Sequence, residues 1–310
     1  MKWPYKDLIG IQGMDAGEIE TILEMTTSFK EISKRDIKKV PVLRGKTVVL
    51  LFYEPSTRTR LSFELAAKRL SADTVALGAS GSSFEKGETI MDAIDNVMAM
   101  NPDCIVIRYP YAGIPEKVSR TVPCSVINAG DGYHEHPTQA LLDMYSIKER
   151  FGYIQGLNVA IVGDIVHSRV ARSNVYGLKK MGAKVTLVAP GTLLPYGVQG
   201  WGVRVSHELD PVIPQMDVVM MLRVQKERIL GPFLSTDREY AQFYGLTKKR
   251  VGMMGPGAVI MHPGPMNRGV EIVHEGADFS RSIILDQVEN GLAVRMALLY
   301  LSLGGETDVD

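Results

Sequence analysis

A run of five β-branched and aliphatic residues, Thr47-Val48-Val49-Leu50-Leu51, leads without a spacer into a polar turn and then into helical spacing. Few folds accept that order. An unbroken apolar run reads as a strand buried on both faces, the mark of a parallel sheet covered by helices. The turn is Phe52-Tyr53-Glu54-Pro55-Ser56-Thr57-Arg58-Thr59-Arg60. The segment after it carries apolar residues at helical spacing, with Leu61, Leu65 and Leu70 near one face. The hinge therefore lies at the carboxyl end of a strand and the amino end of a helix. Backbone N–H groups there lack intrahelical partners, and the helix dipole favours an anion. Ser56, Thr57 and Thr59 add hydroxyls, and Arg58 and Arg60 add guanidinium forks suited to phosphate or carboxylate. A plain hydroxyl N-cap followed by solvated arginines is the competing account, but two hydroxyl–arginine pairs exceed what capping needs. Without a Walker lysine, the cradle suits a small phosphorylated ligand rather than a nucleoside triphosphate.

The same alternation runs along the rest of the chain. Asp15 and Glu18 form a capping-box pattern ahead of a helix whose buried face is Ile19, Ile22, Leu23, Thr26, Phe29 and Ile32. Strands are expected over 74–78, 104–107 and 125–128, the second ending in Arg108 and the third leading to His136-Pro137-Thr138-Gln139. Between the first two lies a glycine- and serine-rich loop, 79–88, holding Ser82 and Lys86. A helix then continues to about Gly152. The pattern restarts with strands over 159–163, 184–189, 217–222 and 258–261 and a helix over 170–181. Residues 226–250 read as a long loop with short helices. Residues 286–303 form a final apolar helix, with Val288, Leu292, Met296 and Leu299 on its buried side. The turn after the 159–163 strand, Gly163-Asp164-Ile165-Val166-His167-Ser168, lacks the glycines that let a dinucleotide pyrophosphate approach, which argues against NAD or FAD.

The expected fold class is α/β: two consecutive open parallel-sheet α/β domains with helices on both faces, the C-terminal helix packing back on the first domain. The boundaries are 1–135 plus 287–310 for the first domain and 150–286 for the second, with 136–149 an interdomain helix. Ligands of open α/β sheets bind beyond the carboxyl ends of the strands. The cationic and amide side chains at those ends are Arg58, Arg108, His136, Gln139, Arg169, Arg223 and Gln225, which implies a shared set of anionic ligands in the interdomain cleft.

Composition narrows the partners. Thirty-five basic residues balance thirty-five acidic ones in 310, so a nucleic-acid or anionic-membrane partner lacks its main electrostatic support. No apolar leader and no run of 18 apolar residues stand in the sequence, which leads us to expect a soluble, cytoplasmic protein. The two cysteines, Cys104 and Cys124, sit in or beside apolar strand runs and read as reduced thiols, and no histidine or cysteine spacing suits a metal.

Taken together, these motifs resemble the carbamoyltransferases. The carbamoyl-phosphate signature stands as residues 52–60 and the second signature as His136-Pro137-Thr138-Gln139. Residues 221–228, Met-Leu-Arg-Val-Gln-Lys-Glu-Arg, and His262-Pro263-Gly264-Pro265 resemble the branch of the family that uses aspartate. The His-Cys-Leu-Pro segment and Ser-Met-Gly element of the ornithine branch are missing. The resemblance spans essentially the whole chain.

It implies transfer of the carbamoyl group of carbamoyl phosphate to the α-amine of L-aspartate, an early step of pyrimidine synthesis, with no cofactor and no metal. On this resemblance Ser56, Thr57, Arg58 and Thr59, helped by Arg108, hold the phosphate. Thr59, Arg108 and His136 donate to the carbonyl oxygen. Gln139 and the carbonyls of Pro263 and Gly264 hold the carbamoyl amide. Arg169, Arg223 and Gln225 bind the carboxylates of aspartate, and Lys86 joins them. Ser82 and Lys86 come from an adjacent subunit, which makes the enzyme a homotrimer, with a regulatory chain or a dihydroorotase as a further partner the resemblance admits. Glu54 is expected to be a structural partner of Arg169 and Arg228. Gly264 departs from the family, where Leu or Ala is commoner, and glycine is expected to loosen that loop; the Gly264–Pro265 bond is expected to be cis. A carbamoyltransferase for another amino acid, or a non-catalytic phosphoanion-binding relative, would share much of this pattern.

Overall fold

The computed structural model describes residues 3–78, 89–225, 236–272 and 279–304. The chain divides into two compact units, Met1–Tyr145 with Glu289–Asp310, and Ser146–Val288.

In the first unit α1 (Ala16–Lys34) precedes β1 (Thr47–Phe52), α2 (Thr57–Arg69), β2 (Asp73–Gly78), α3 (Ile90–Met98), β3 (Cys104–Tyr109), α4 (Ile114–Thr121) and β4 (Ser125–Asp131). The strands form an all-parallel sheet in the order β2-β1-β3-β4. Successive side chains of a strand point to opposite faces. Val49, Leu51, Ile105, Ile107 and Val126 pack on one face against Ile94, Val97 and Val118 of α3 and α4. Their neighbours Val48, Leu50, Val106 and Ile127 are equally buried. Both faces are therefore covered, which is why these strands are apolar runs rather than alternating ones. Asp15 and Glu18 close the capping box of α1.

Several features differ from the sequence expectation. The buried stripe of α2 is Thr59, Phe63, Ala66 and Ala67, continued by Leu70, while Leu61 and Leu65 lie on the opposite side, 60% and 40% exposed. Apolar spacing cannot tell a core-facing stripe from an outward one when small residues line the true interface. The helix α4 was not anticipated, because it is two turns long and carries Pro115 in its first turn, where proline is tolerated but reads as a breaker. Val288 is exposed rather than buried.

α5 (Pro137–Phe151) carries the chain into the second unit, which continues with β5 (Asn158–Val162), α6 (Arg169–Lys180), β6 (Lys184–Val188), β7 (Arg204–Ser206), β8 (Val218–Met221), α7 (Asp237–Tyr244), α8 (Lys248–Met253) and β9 (Val259–Met261). Its parallel sheet runs β7-β6-β5-β8-β9, with β7 an unforeseen three-residue edge strand. Ala160, Val162, Val219, Met221 and Ile260 meet Leu209, Ile213 and Val251 in its core. α9 (Ile284–Ser302) returns the chain to the first unit, to which Glu289–Asp310 belong. Among the described residues no helix is long and apolar enough to cross a membrane.

Candidate active site

Strand order decides where each sheet can bind a ligand. In the order β2-β1-β3-β4 the switch point falls between β1 and β3, where the connections leave in opposite directions and open a crevice at the carboxyl ends. Phe52, the last residue of β1, stands in register with Arg108 of β3. The Ser56–Thr59 turn and the Arg108 side chain thus leave neighbouring strand ends at that point.

Ser56 is the N-cap of α2 with extended backbone, yet its hydroxyl accepts from none of the helix amides. Asp15, Thr89 and Ser168 do cap their helices through the side chain. The first-turn N–H groups of α2 therefore remain without the capping oxygen that the plain N-cap account requires. Thr57 and Arg58 are exposed and Thr59 is buried. Arg108 is held on two sides, donating from Nη2 to Glu54 Oε1 at 2.6 Å and from Nη1 to the Ala129 carbonyl at 3.2 Å. Glu54, expected beside Arg169 and Arg228, is also a partner of Arg108, and Arg228 lies outside the described residues.

His136 and Gln139 open α5, just beyond the carboxyl end of β4. The turn that delivers them is tied by two buried carboxylates. Asp131 accepts from Asn128 Nδ2, the Glu135 N–H, the Gly113 N–H and His134 Nδ1 at 2.8–3.1 Å. Burial pushes the Asp131 carboxyl up, but those hydrogen bonds together outweigh it and hold the group below the usual carboxylate range. Glu135 accepts from the Ile11 and Gln12 N–H groups, pinning the N-terminal segment to the residue before His136. Gly132 has φ +47° and a Cβ there would stand 2.8 Å from the Ala112 nitrogen, so the turn requires glycine. Gln139 donates from Nε2 to Asp143 Oδ1 at 2.9 Å.

In the second unit the order β7-β6-β5-β8-β9 sets the switch point between β5 and β8. The loop after β5 delivers Arg169, the buried first residue of α6, and the segment after β8 delivers Arg223 and Gln225. Asp164, fully buried, ties the two loops together. It accepts from His167 Nδ1 at 2.8 Å and from the Gln225 N–H at 3.2 Å, while Gln225 Nε2 donates to the His167 carbonyl at 3.1 Å. Glu271 accepts from the Val224 N–H and Asn267 Nδ2, each at 2.8 Å, and so fixes the residue between Arg223 and Gln225. Burial pushes the Glu271 carboxyl above its usual range, with those donors opposing it.

Pro263 and Gly264 follow β9, the neighbour of β8. The Gly264–Pro265 peptide is cis, and Gly264 has φ +62°, a left-handed conformation that favours glycine. The Gly264 N–H donates to His262 Nδ1 at 2.7 Å.

Each unit thus gathers its own set at the carboxyl edge of its sheet: Ser56, Thr57, Arg58, Thr59, Arg108, His136 and Gln139 in the first, and Arg169, Arg223, Gln225, Pro263 and Gly264 in the second. Ser82 and Lys86 lie outside the described residues. Sequence reasoning missed the buried acids that aim these side chains, namely Asp131, Glu135, Asp143, Asp164 and Glu271. Only Asp143 left a signal, four residues after Gln139 and so on the same side of a helix.

Comparison with known proteins converges with this geometry. Residues 6–149 match the family description "Aspartate/ornithine carbamoyltransferase, carbamoyl-P binding domain", and residues 155–302 match "Aspartate/ornithine carbamoyltransferase, Asp/Orn binding domain". The aspartate carbamoyltransferase catalytic subunit of Desulforapulum autotrophicum is 53% identical over 310 residues, covering 100% of this chain and 99% of that one. That of Syntrophotalea carbinolica is 56% identical over 306 residues, covering 99% and 98%. Among solved structures, aspartate transcarbamoylase of Trypanosoma cruzi in complex with carbamoyl phosphate and aspartate superposes with a TM-score of 0.86 at 28% identity, covering 96% of each chain. The catalytic subunit of the M. Jannaschii enzyme gives 0.83 at 34% identity, covering 95% and 97%.

Proposed function

The chain belongs to the aspartate/ornithine carbamoyltransferase family, and from that premise we propose that it transfers the carbamoyl group of carbamoyl phosphate to the α-amine of L-aspartate, forming N-carbamoyl-L-aspartate and phosphate for pyrimidine synthesis. The observation that carries this reading is the pairing of arginine with hydroxyl, imidazole or amide side chains beside the switch point of each sheet. The first unit offers donors for one small anion, and the second offers Arg169, Arg223 and Gln225 for another.

Ser56, Thr57, Arg58 and Thr59 hold the phosphate with the amides at the start of α2. The amine of aspartate attacks the carbamoyl carbon and a C–N bond forms. Negative charge develops on the carbonyl oxygen, where Thr59, Arg108 and His136 donate. Removing one donor of this kind typically raises a barrier by about 2.7–4 kcal/mol. The C–O bond to phosphate then breaks, and the departing phosphate takes the amine proton. Gln139 and the carbonyls of Pro263 and Gly264 hold the carbamoyl NH2. His136 acts as a donor rather than a general base. Holding both anions in line supplies a further large share of the acceleration.

Arg169, Arg223, Gln225 and Lys86 receive the two carboxylates of aspartate. A cationic acceptor such as ornithine would meet like charge there. Ser82 and Lys86 act in the site of an adjacent subunit of a cytoplasmic homotrimer. Exposed Leu61, Leu65, Val75 and Leu77 on α2 and β2 support an oligomer. The test is turnover of carbamoyl phosphate with aspartate against ornithine. Aspartate turnover alone is expected; ornithine turnover without aspartate turnover would overturn the reading.

A further inference from the structure

Behind the first unit's cradle lies a buried polar arrangement that the roles above leave unused. Asp143 sits one helical turn after Gln139 on α5, fully buried, and its Oδ1 accepts from Gln139 Nε2 at 2.9 Å. Arg295, on α9, is buried as well. Its guanidinium carbon lies 5.2 Å over the Phe63 ring centroid, and Nη1 donates to Ser62 Oγ at 2.9 Å and to the Gly291 carbonyl at 3.1 Å. A Cβ on Gly291 would stand 2.8 Å from Arg295 Nη1 and 3.1 Å from Leu142 Cδ2, so a side chain there would displace the guanidinium. Burial pushes Arg295 down to about 10, the Asp143 carboxylate pulls it back up, and the Arg58 guanidinium pushes it down again. Arg295 therefore lies within electrostatic reach of both Asp143 and a phosphate-cradle arginine.

An amide has two chemically opposite ends of nearly equal size, and what faces it decides which end points where. A carboxylate accepts and does not donate. Facing Asp143, Gln139 must turn its NH2 group inward, which leaves Oε1 as the end it presents to a ligand. Oε1 is an acceptor, and so it selects a ligand that carries N–H. A buried carboxylate needs a compensating charge, and Arg295 brings one from a different helix.

We propose that Asp143, supported by Arg295, is the positioning residue that orients the Gln139 amide and thereby makes the site discriminate a carbamoyl NH2 from a methyl group. This rests on the assignment of the first unit to carbamoyl phosphate. Asp143 acts through Gln139 and touches no reacting atom.

The test compares binding of carbamoyl phosphate and acetyl phosphate, which share phosphate and carbonyl but differ in NH2 against CH3, by calorimetry on the full chain. In the wild type carbamoyl phosphate binds more tightly. Asp143→Asn keeps the volume but can face Gln139 with either end, so the amide is no longer held in one orientation. It is expected to weaken carbamoyl phosphate by about tenfold, the scale of one hydrogen bond, and acetyl phosphate by less than about twofold. Gln139→Glu sets two carboxylates against each other and is expected to lose the preference. Gln139→Glu with Asp143→Asn pairs an oxygen with an amide donor again and is expected to restore it; this double variant carries the test if Asp143→Asn alone folds poorly. Equal loss of both ligands in Asp143→Asn, or no rescue in the double variant, would overturn the role of Asp143 while the carbamoyl-phosphate assignment stands. A wild type that binds the two ligands alike would overturn that assignment, and this proposal with it.

Discussion

Arg108 and Glu54 form an ion pair of 2.6 Å at the carboxyl edge of the first sheet, both side chains largely withdrawn from water. The pair aims a guanidinium that is proposed to meet the carbonyl oxygen of carbamoyl phosphate. Glu54→Gln keeps an acceptor but loses the charge, and Glu54→Ala loses both. Misplacing a reacting contact by about 1 Å can cost about 10²-fold. We expect kcat/KM for carbamoyl phosphate to fall about tenfold in Glu54→Gln and further in Glu54→Ala, measured at saturating aspartate. Unchanged curves in both would mean that Arg108 needs no such anchor.

Arg58 is exposed at the first turn of α2, and its charge opposes that of Arg295. Arg58→Ala removes the proposed phosphate donor and a like-charge repulsion together. Activity should fall about 10²–10³-fold, the cost of a lost transition-state donor, while the unfolding midpoint stays level or rises slightly. Near-normal turnover would end the assignment of Arg58 to phosphate.

How much of this was readable beforehand follows from what a linear pattern can carry. The strands were legible because burial on both faces leaves unbroken apolar runs such as Val48 to Leu51. The strand-to-helix turn that carries the proposed cradle was legible because its hydroxyls and arginines are adjacent in the chain. Strand order was not, since nothing local in Phe52 or Arg108 says that they stand side by side. The carboxylates were not legible either: Asp131, Asp164 and Glu271 look like surface residues until the turns close over them and their donors arrive from distant segments. Leu61 and Leu65 were misread because Ala66 and Ala67, not the leucines, let α2 approach the core.

Arg223 leaves the end of β8 with the following Val224 N–H fixed on Glu271. A guanidinium–carboxylate contact is worth about 1.5–3 kcal/mol. Arg223→Ala should therefore raise the aspartate concentration needed for half-maximal rate by at least about tenfold and leave carbamoyl phosphate binding nearly unchanged. Steady-state curves for aspartate, paired with calorimetry of carbamoyl phosphate, read both. An unaltered aspartate curve would remove Arg223 from the acceptor site.

Asp131 gives a pH-dependent test. Its folded pKa is depressed, so the stability it contributes is fully present above the unfolded value, about 3.9, and is lost as pH falls through the folded value. Asp131→Asn should be less stable than the wild type by about 1.5–3 kcal/mol at pH 7, the scale of hydrogen bonds to a charged group. The gap should close below about pH 4. Urea unfolding at both pH values measures it; a gap that does not change with pH would place the stabilisation elsewhere.

The last expectation concerns assembly. Leu61 and Leu65 are one turn apart on α2, and Val75 and Leu77, 44% and 39% exposed, share a face of the adjoining edge strand β2. Leu61 and Leu65 form an exposed apolar pair that a further copy would cover, while Val75 and Leu77, in register with Val49 and Leu51, stand on the face of the sheet that carries α3 and α4. A charged substitution on α2, Leu61→Asp with Leu65→Asp, touches no buried stripe of the helix, so the chain should still fold while the proposed trimer falls apart. Activity should go with it, because the proposed Lys86 contribution comes from the neighbour. Chain mixing separates that loss from a general defect. In a hybrid of Arg58→Ala and Lys86→Ala chains, a chain with intact Arg58 can sit beside one with intact Lys86, and that one junction rebuilds a complete site. Mixing after subunit exchange should restore activity that neither variant has alone, and adding the two leucine substitutions to both chains should abolish the rescue. Trimers that exchange subunits yet stay inactive would show that each chain completes its own site.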